Sequence, residues 1–136
     1  MSNPLPAMAP PINPDSKPFW DATAEDKLLL PKCDKCSTVI WYPREFCPAC
    51  GSLEVSWFTA SGRGSVYSFS IVRKGEAMYG AAAPYVLAYV ELEEGPRMMT
   101  NIVGCEPESV KIGQEVSVVF HDTGQGQKLH RFAPRS

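Results

Sequence analysis

Apolar positions change their period along this chain. Over residues 15–30, Phe19, Trp20, Ala24 and Leu28 recur at about helical spacing. Asp15 or Ser16 stands where a cap is needed, and Pro18 suits a first turn. Pro31 then disfavours helix at the residue before it. The pattern predicts an N-terminal helical segment over 14–31. From Leu53 onward the period is two. Val55, Trp57 and Thr59 alternate with other residues, and Ser61-Gly-Arg-Gly64 bends or breaks the strand. Tyr67, Phe69 and Ile71 then face one way, and Ser68 and Ser70 the other. Tyr85–Leu92 is almost unbroken in apolar residues, and Arg97–Val103 is its hairpin partner across Glu93-Glu94-Gly95-Pro96. A helical turn at Pro107–Val110 precedes Glu115–His121, where Val116, Val118 and Phe120 point in. A polar turn leads to a last strand at Lys128–Phe132.

Five strands, a bend at glycine and a short helical insert predict an OB-type barrel over 53–136. The alternative, a sandwich, lacks strands for two good sheets. Residues 1–13 are proline-rich and uncharged, which predicts an extended or disordered tail.

Between helix and barrel lie Cys33-Asp-Lys-Cys36 and Cys47-Pro-Ala-Cys50. Each thiolate pair can reach one ion from a tight turn, and two pairs close a four-sulfur site. Gly51 follows the second pair, where such a knuckle needs a left-handed residue; Ser37 takes that place after the first. Val39, Ile40, Trp41 and Tyr42 are strand formers that Pro43 ends. Residues 32–52 therefore read as a zinc ribbon of two knuckles and a short hairpin. Zinc is favoured over iron as the usual ion of closed four-cysteine sites, and a closed site is structural. Two disulfides or four free thiols are the alternatives.

Composition narrows the rest. The chain has 136 residues, 44% of them hydrophobic, enough for one domain with a core, or a small domain with an appendage. A formal charge of −2 argues against a general polyanion binder. No apolar run approaches the roughly 18 residues of a membrane span, and no secretory signal opens the chain. The expected place is the cytoplasm, where disulfides are rare.

Taken in order, several motifs resemble one family. They are Pro18-Phe19-Trp20, the Cys33–Cys50 ribbon with Trp41-x-Pro43-Arg44, and Ala60-Ser-Gly-Arg-Gly-Ser-Val-Tyr-Ser-Phe69. Pro84-Tyr85-Val86, Thr100-Asn-Ile-Val-Gly104 and Pro107-Glu-x-Val-x-Ile-Gly113 continue the series. Over residues 14–134 the chain is similar to the DUF35 proteins. The resemblance implies N-terminal helices, a rubredoxin-like zinc ribbon and a C-terminal OB-fold. It also implies an accessory, non-catalytic subunit of acyl-CoA enzymes, paired with a thiolase-superfamily chain or a hotdog-fold enoyl-CoA hydratase. In such assemblies the helices and the OB surface meet the partner and help frame an acyl-CoA passage.

On that footing Arg63, Arg73, Lys74 and Tyr79 are candidates to meet acyl-CoA, through charge-assisted bonds to its phosphates and packing in the loop 73–84. The bland alternative is a solvated basic set. Phe19, Trp20, Leu28 and Leu29 are candidate partner anchors, or else pack on their own domain. His121 and His130 lack a nucleophile at a persuasive spacing, and read as exposed or satisfied histidines. Cys105 beside Glu106 reads as a structural thiol. Two other functions compete. One is a single-stranded nucleic-acid binder stacking bases on Tyr67, Phe69, Tyr85 and Tyr89, which the acidic balance disfavours. The other is an iron electron-transfer module at the four cysteines.

Overall fold

The computed structural model describes residues 5–135. It is mainly β, with one N-terminal α-helix, a four-cysteine cluster and a closed five-stranded barrel. The helix, α1, spans Lys17–Thr23, far shorter than the predicted 15–30. Ser16 takes the N-cap position, but its hydroxyl turns back to Asn13 instead of capping. Past the helix, Asp26 adopts a left-handed φ of 59°, which stops helical propagation. The three leucines then extend. Leu28 and Leu30 enter the core while Leu29 faces partly outward, a strand alternation that the apolar triplet concealed.

That extension is strand β1 (Leu29–Cys33), which pairs antiparallel with β2 (Val55–Thr59). Here the sequence reading is corrected. Val55–Thr59 is not the first half of a bent barrel strand but completes a separate two-stranded sheet with the ribbon. Gly62, with φ 79°, separates the two systems. The predicted hairpin between the cysteine pairs reduces to one bridge, Lys32 to Val39.

The barrel contains β3 (Arg63–Val72), β4 (Tyr85–Leu92), β5 (Arg97–Ile102), β6 (Glu115–Asp122) and β7 (Lys128–Pro134). Its order is β3-β4-β5-β7-β6, with β6 closing back on β3. Gly64 pairs with Leu92 on one side and Val116 on the other. A Cβ there would lie 2.5 Å from the Glu91 carbonyl oxygen, so only glycine lets the strands approach. The β5–β7 seam is the weakest join, one parallel pairing of Ile102 with Phe132. Thr100 supports it by donating its hydroxyl to the His130 carbonyl at 3.0 Å.

A bulge between Val66 and Ser68 changes the phase of β3. Val66 is buried before it, and Phe69 and Ile71 turn toward the core after it, while Tyr67 is left outside. The expectation that Tyr67 shares a face with Phe69 is corrected by that one inserted residue. The main core holds Phe19, Trp20, Leu28 and Leu30 together with Val66, Val86, Val90, Met98 and Phe132, so helix, β1 and barrel share one interior.

Candidate metal centre and surrounding sites

The two knuckles repeat one geometry. Ser37 N–H donates to the Cys33 carbonyl at 2.9 Å, and Gly51 N–H to the Cys47 carbonyl at 2.8 Å. Cys33 N–H reaches the Thr38 carbonyl, and Cys47 N–H the Ser52 carbonyl, each at 2.9 Å. Ser37 (φ 65°) and Gly51 (φ 78°) both take the left-handed conformation expected of them. The turns bring Cys33 Sγ to 3.6 Å from Cys50 Sγ, and Cys36 Sγ to 3.5 Å from Cys47 Sγ. All four sulfurs lie within 4.8 Å of one another. A tetrahedral ion with bonds of about 2.3 Å sets its sulfurs about 3.8 Å apart, so the four residues fit zinc.

The electrostatics agree with a metal-ready cluster. The Thr38 hydroxyl and backbone, with the neighbouring sulfurs, lower the Cys36 thiol to about 6. At Cys50 the Ser52 backbone favours the thiolate, but burial and the three other sulfurs outweigh it and raise the thiol to about 11. Four crowded thiols therefore compete for charge until a cation is shared. When bound, zinc would supply charge neutralisation and a cross-link. The chain's own residues supply four ligands, which leaves no open position for water activation. Ile40 and Val55 pack on Cys33 and Cys47, giving the ribbon its own small apolar centre.

Trp41 connects this ribbon to the barrel. Its ring lies 5.0 Å from Phe19 and 5.6 Å from His130. Trp20 Nε1 donates to the Tyr42 hydroxyl at 3.1 Å. His130 sits within the box of Phe19, Trp20 and Trp41, and both its ring nitrogens are sealed from water without a hydrogen-bond partner. Burial pulls its pKa down to about 4; the Met99 backbone opposes this, and the Arg131 charge adds to it. The sequence expectation of an exposed or satisfied histidine is corrected, because the ring is buried among aromatic side chains and neither nitrogen makes a full hydrogen bond.

The candidate partner anchors are placed differently from that expectation. Phe19 is 0%, Trp20 5% and Leu28 2% exposed within this chain alone. Their surfaces are already taken up by the barrel and β1, so they present no contact face to a partner; Leu29 is half-buried. The basic candidates do not form one cluster. Arg63 and Arg73 flank opposite ends of β3, about 30 Å apart at the usual rise per residue. Arg63 pairs with Glu93 at 3.3 Å and Arg73 with Glu108 at 2.8 Å. Lys74 is exposed. Tyr79 lies in the 3-10 turn Ala77–Ala82 and packs on Tyr85 at 5.7 Å between ring centroids.

Sequence reasoning offered Tyr67 and Tyr89 only as base-stacking candidates and missed that they share the outer face of β3–β4–β5 with Leu87 and Met99. Tyr89 and Met99 stand directly opposite across the β4–β5 pair, 47% and 54% exposed, with Leu87 beside them. Tyr67 adjoins them from the bulge, and the Arg97 guanidinium lies 3.8 Å over its ring while also pairing with Glu91 at 2.9 Å. The alternation of Tyr85–Leu92 carried the signal: Tyr, Leu and Tyr on one face, Val and Ala on the other. An unbroken apolar run hid it. Cys105 packs against the main core.

The ribbon and the barrel together define a protein built as a rubredoxin-like zinc ribbon followed by an OB-fold. Residues 20–56 match the family model of the ChsH2 rubredoxin-like zinc ribbon domain, and residues 57–121 that of the ChsH2 C-terminal OB-fold domain. A DUF35 domain-containing scaffold protein of Methanocaldococcus jannaschii is 43% identical over 94 residues, 68% of this chain and 67% of that one. A probable enoyl-CoA hydratase alpha subunit of Thermomonospora curvata is 38% identical over 125 residues. That match spans 92% of this chain but 39% of the relative's length. Among solved structures, a chain of the Ltp2-ChsH2(DUF35) aldolase superposes with a TM-score of 0.82 at 33% identity, covering 93% of this chain and 98% of that one. The chain belongs to the DUF35 family. Among the described residues no helix is long and apolar enough to cross a membrane.

Proposed function

We propose that this chain is a non-catalytic accessory subunit of an acyl-CoA-processing complex, bound to a thiolase-superfamily enzyme that makes or breaks a carbon–carbon bond. The observation that carries the reading is the fit, over nearly all of both chains, to a chain of a solved DUF35 aldolase. The accessory chain would stabilise its partner and complete the passage for the acyl-CoA thioester. The exposed row of Tyr67, Leu87, Tyr89 and Met99 supports this, because aromatic and methionine side chains are enriched at the centres of protein contacts. Lys74 and Tyr79, in the loop between β3 and β4, would be the residues to meet coenzyme A phosphates. Arg63 and Arg73 would contribute only by exchanging their glutamate partners. Structural zinc would hold the ribbon and take no part in the reaction.

A second reading replaces the thiolase with a hotdog-fold enoyl-CoA hydratase. The similarity to a hydratase alpha subunit over 92% of this chain favours it. Native pull-down of the tagged chain, with mass spectrometry of what co-purifies, tests both. A stoichiometric thiolase-family chain supports the first, and a hydratase the second. A partner that is fully active and stable without this chain would sink the accessory role. Recovery of nucleic acid instead would move the weight to base stacking on Tyr67 and Tyr89.

A further inference from the structure

Arg131 is a buried charge that no carboxylate among the described residues compensates. It lies on β7 and is 2% exposed, yet among the described residues no carboxylate pairs with it. Its guanidinium is met by neutral groups. One terminal nitrogen donates to the Leu5 carbonyl at 3.3 Å and lies 2.9 Å from His121 Nδ1. The other donates to the Pro6 carbonyl at 2.5 Å. Burial lowers the pKa of this guanidinium, and nearby Tyr79 opposes that by favouring the charged form. A buried guanidinium without an anion is expensive to keep, and a planar fork with two outward prongs matches paired oxygens.

The groups that meet those prongs belong to the proline-rich N-terminal segment. That segment is anchored at its far end, where Asn13 and Ser16 bond one another through backbone and side chain. Between Pro6 and Asn13 no hydrogen bond joins it to the body among the described residues. Among the described residues, the Leu5 and Pro6 carbonyls on Arg131 are thus the only polar attachment of the segment to the body before Asn13.

We propose that Arg131, with His121 and Tyr79, forms an oxyanion-binding site, and that residues 5–12 lie across it as a displaceable strap whose Leu5 and Pro6 carbonyls stand where a ligand's oxygens would. The ligand class is a phosphate ester or a carboxylate. An anion would replace two neutral acceptors with charge-assisted ones and neutralise the buried cation. His121 and Tyr79 supply a donor each once the strap has moved, His121 after a change of tautomer or protonation. This site does not depend on the accessory role proposed above, and its failure would leave that role untouched.

The test uses the full chain with two probes, inorganic pyrophosphate and malonate, followed by calorimetry and by amide and imidazole NMR at neutral pH. Binding of either anion, with the Leu5–Ala9 resonances moving to free-chain positions, supports the site. The stronger probe assigns the source as phosphate or carboxylate. The new negative charge should also raise the His121 pKa, which a merely structural arginine would not do. Loosening the strap with Pro6→Gly and Pro10→Gly should tighten binding about tenfold, because the strap withholds the competent state. Arg131→Gln should abolish binding. If that variant fails to fold, Tyr79→Phe, at a half-buried position, should still weaken binding several-fold. Absence of binding in both the native and the loosened chain overturns the proposal. So does binding that leaves the strap resonances unmoved, or that survives Arg131→Gln.

Discussion

Thr23 and Lys128 are 105 residues apart in sequence and are joined by one hydrogen bond: the Lys128 backbone N–H donates to Thr23 Oγ1 at 3.0 Å. The same hydroxyl donates to the Trp20 carbonyl at 2.6 Å, so one buried oxygen both closes α1 and fastens it to the start of β7. Thr23→Val keeps the shape and removes both bonds, leaving a part-buried backbone N–H unpaired. It should cost about 1–3 kcal/mol in urea denaturation. Thr23→Ser should recover most of this loss.

The aromatic box around His130 makes stability depend on pH with a definite sign. The native pKa of about 4 lies below the 6.5 of an unperturbed histidine. The unfolded chain therefore takes up a proton in a range where the native chain does not. Stability is fully present above about 6.5 and falls as the pH drops toward 4, by on the order of 3 kcal/mol from this residue. His130→Phe should remove that component. Comparing unfolding free energies of the two proteins across the window isolates it from the carboxylates, which titrate in both. Identical pH slopes would overturn the assignment.

Zinc removal should not stop at the ribbon. Cys47→Ser leaves three ligands, and metal analysis should fall from one zinc per chain to substoichiometric occupancy. A structural zinc commonly binds with about 10–16 kcal/mol, so its loss should unfold the knuckles. Because Trp41 packs on Phe19 and His130, the barrel should also melt at lower temperature. Near-ultraviolet circular dichroism follows the tryptophans through that change. An unchanged barrel Tm would show that the two bodies are energetically separate.

Gly64→Ala tests barrel closure directly. The added methyl would collide with the Glu91 carbonyl where β3 is paired on both sides. A loss on the order of 2 kcal/mol is expected, since backbone on both flanks limits relaxation. Thermal melts against the parent chain measure it.

For the outer face, Tyr89→Glu and Met99→Glu place opposed like charges at the centre of the apolar row. Both positions are about half exposed, so the fold should tolerate the changes. Recovery of the co-purifying partner should drop at least tenfold for the double variant, as a charge buried without a counter-ion costs several kcal/mol. Undiminished recovery would put the contact elsewhere on the surface.

The cysteine spacing, the glycine near the first barrel strand and the strand alternation from Ser65 onward made the ribbon and the barrel readable from sequence. These features are local and have few solutions. The split between β2 and β3 was not readable, because pairing with β1 is a tertiary choice between two apolar strands. Helix α1 was overestimated because Leu28 continues the helical spacing of Phe19, Trp20 and Ala24 and equally starts a strand alternation with Leu30. A register shift of one residue put Tyr67 on the outside, and nothing in Val-Tyr-Ser announces it. Arg131 was passed over for a similar reason. Its chemistry depends on His121, Tyr79 and Leu5, all distant in sequence.

The contrast between a closed barrel and an open two-stranded sheet bears on how this chain could polymerise. Every barrel strand has a neighbour on each side, although at the β5–β7 seam that neighbour is reached through a single pairing. β2 has β1 on one side alone. Its other flank, Val55–Thr59, has no strand partner among the described residues and lies beside Trp57 and Phe58, with the polar Ser56 between apolar neighbours. That five-residue flank offers an open template for strand addition to the folded chain, and a charge introduced there would act as its gatekeeper.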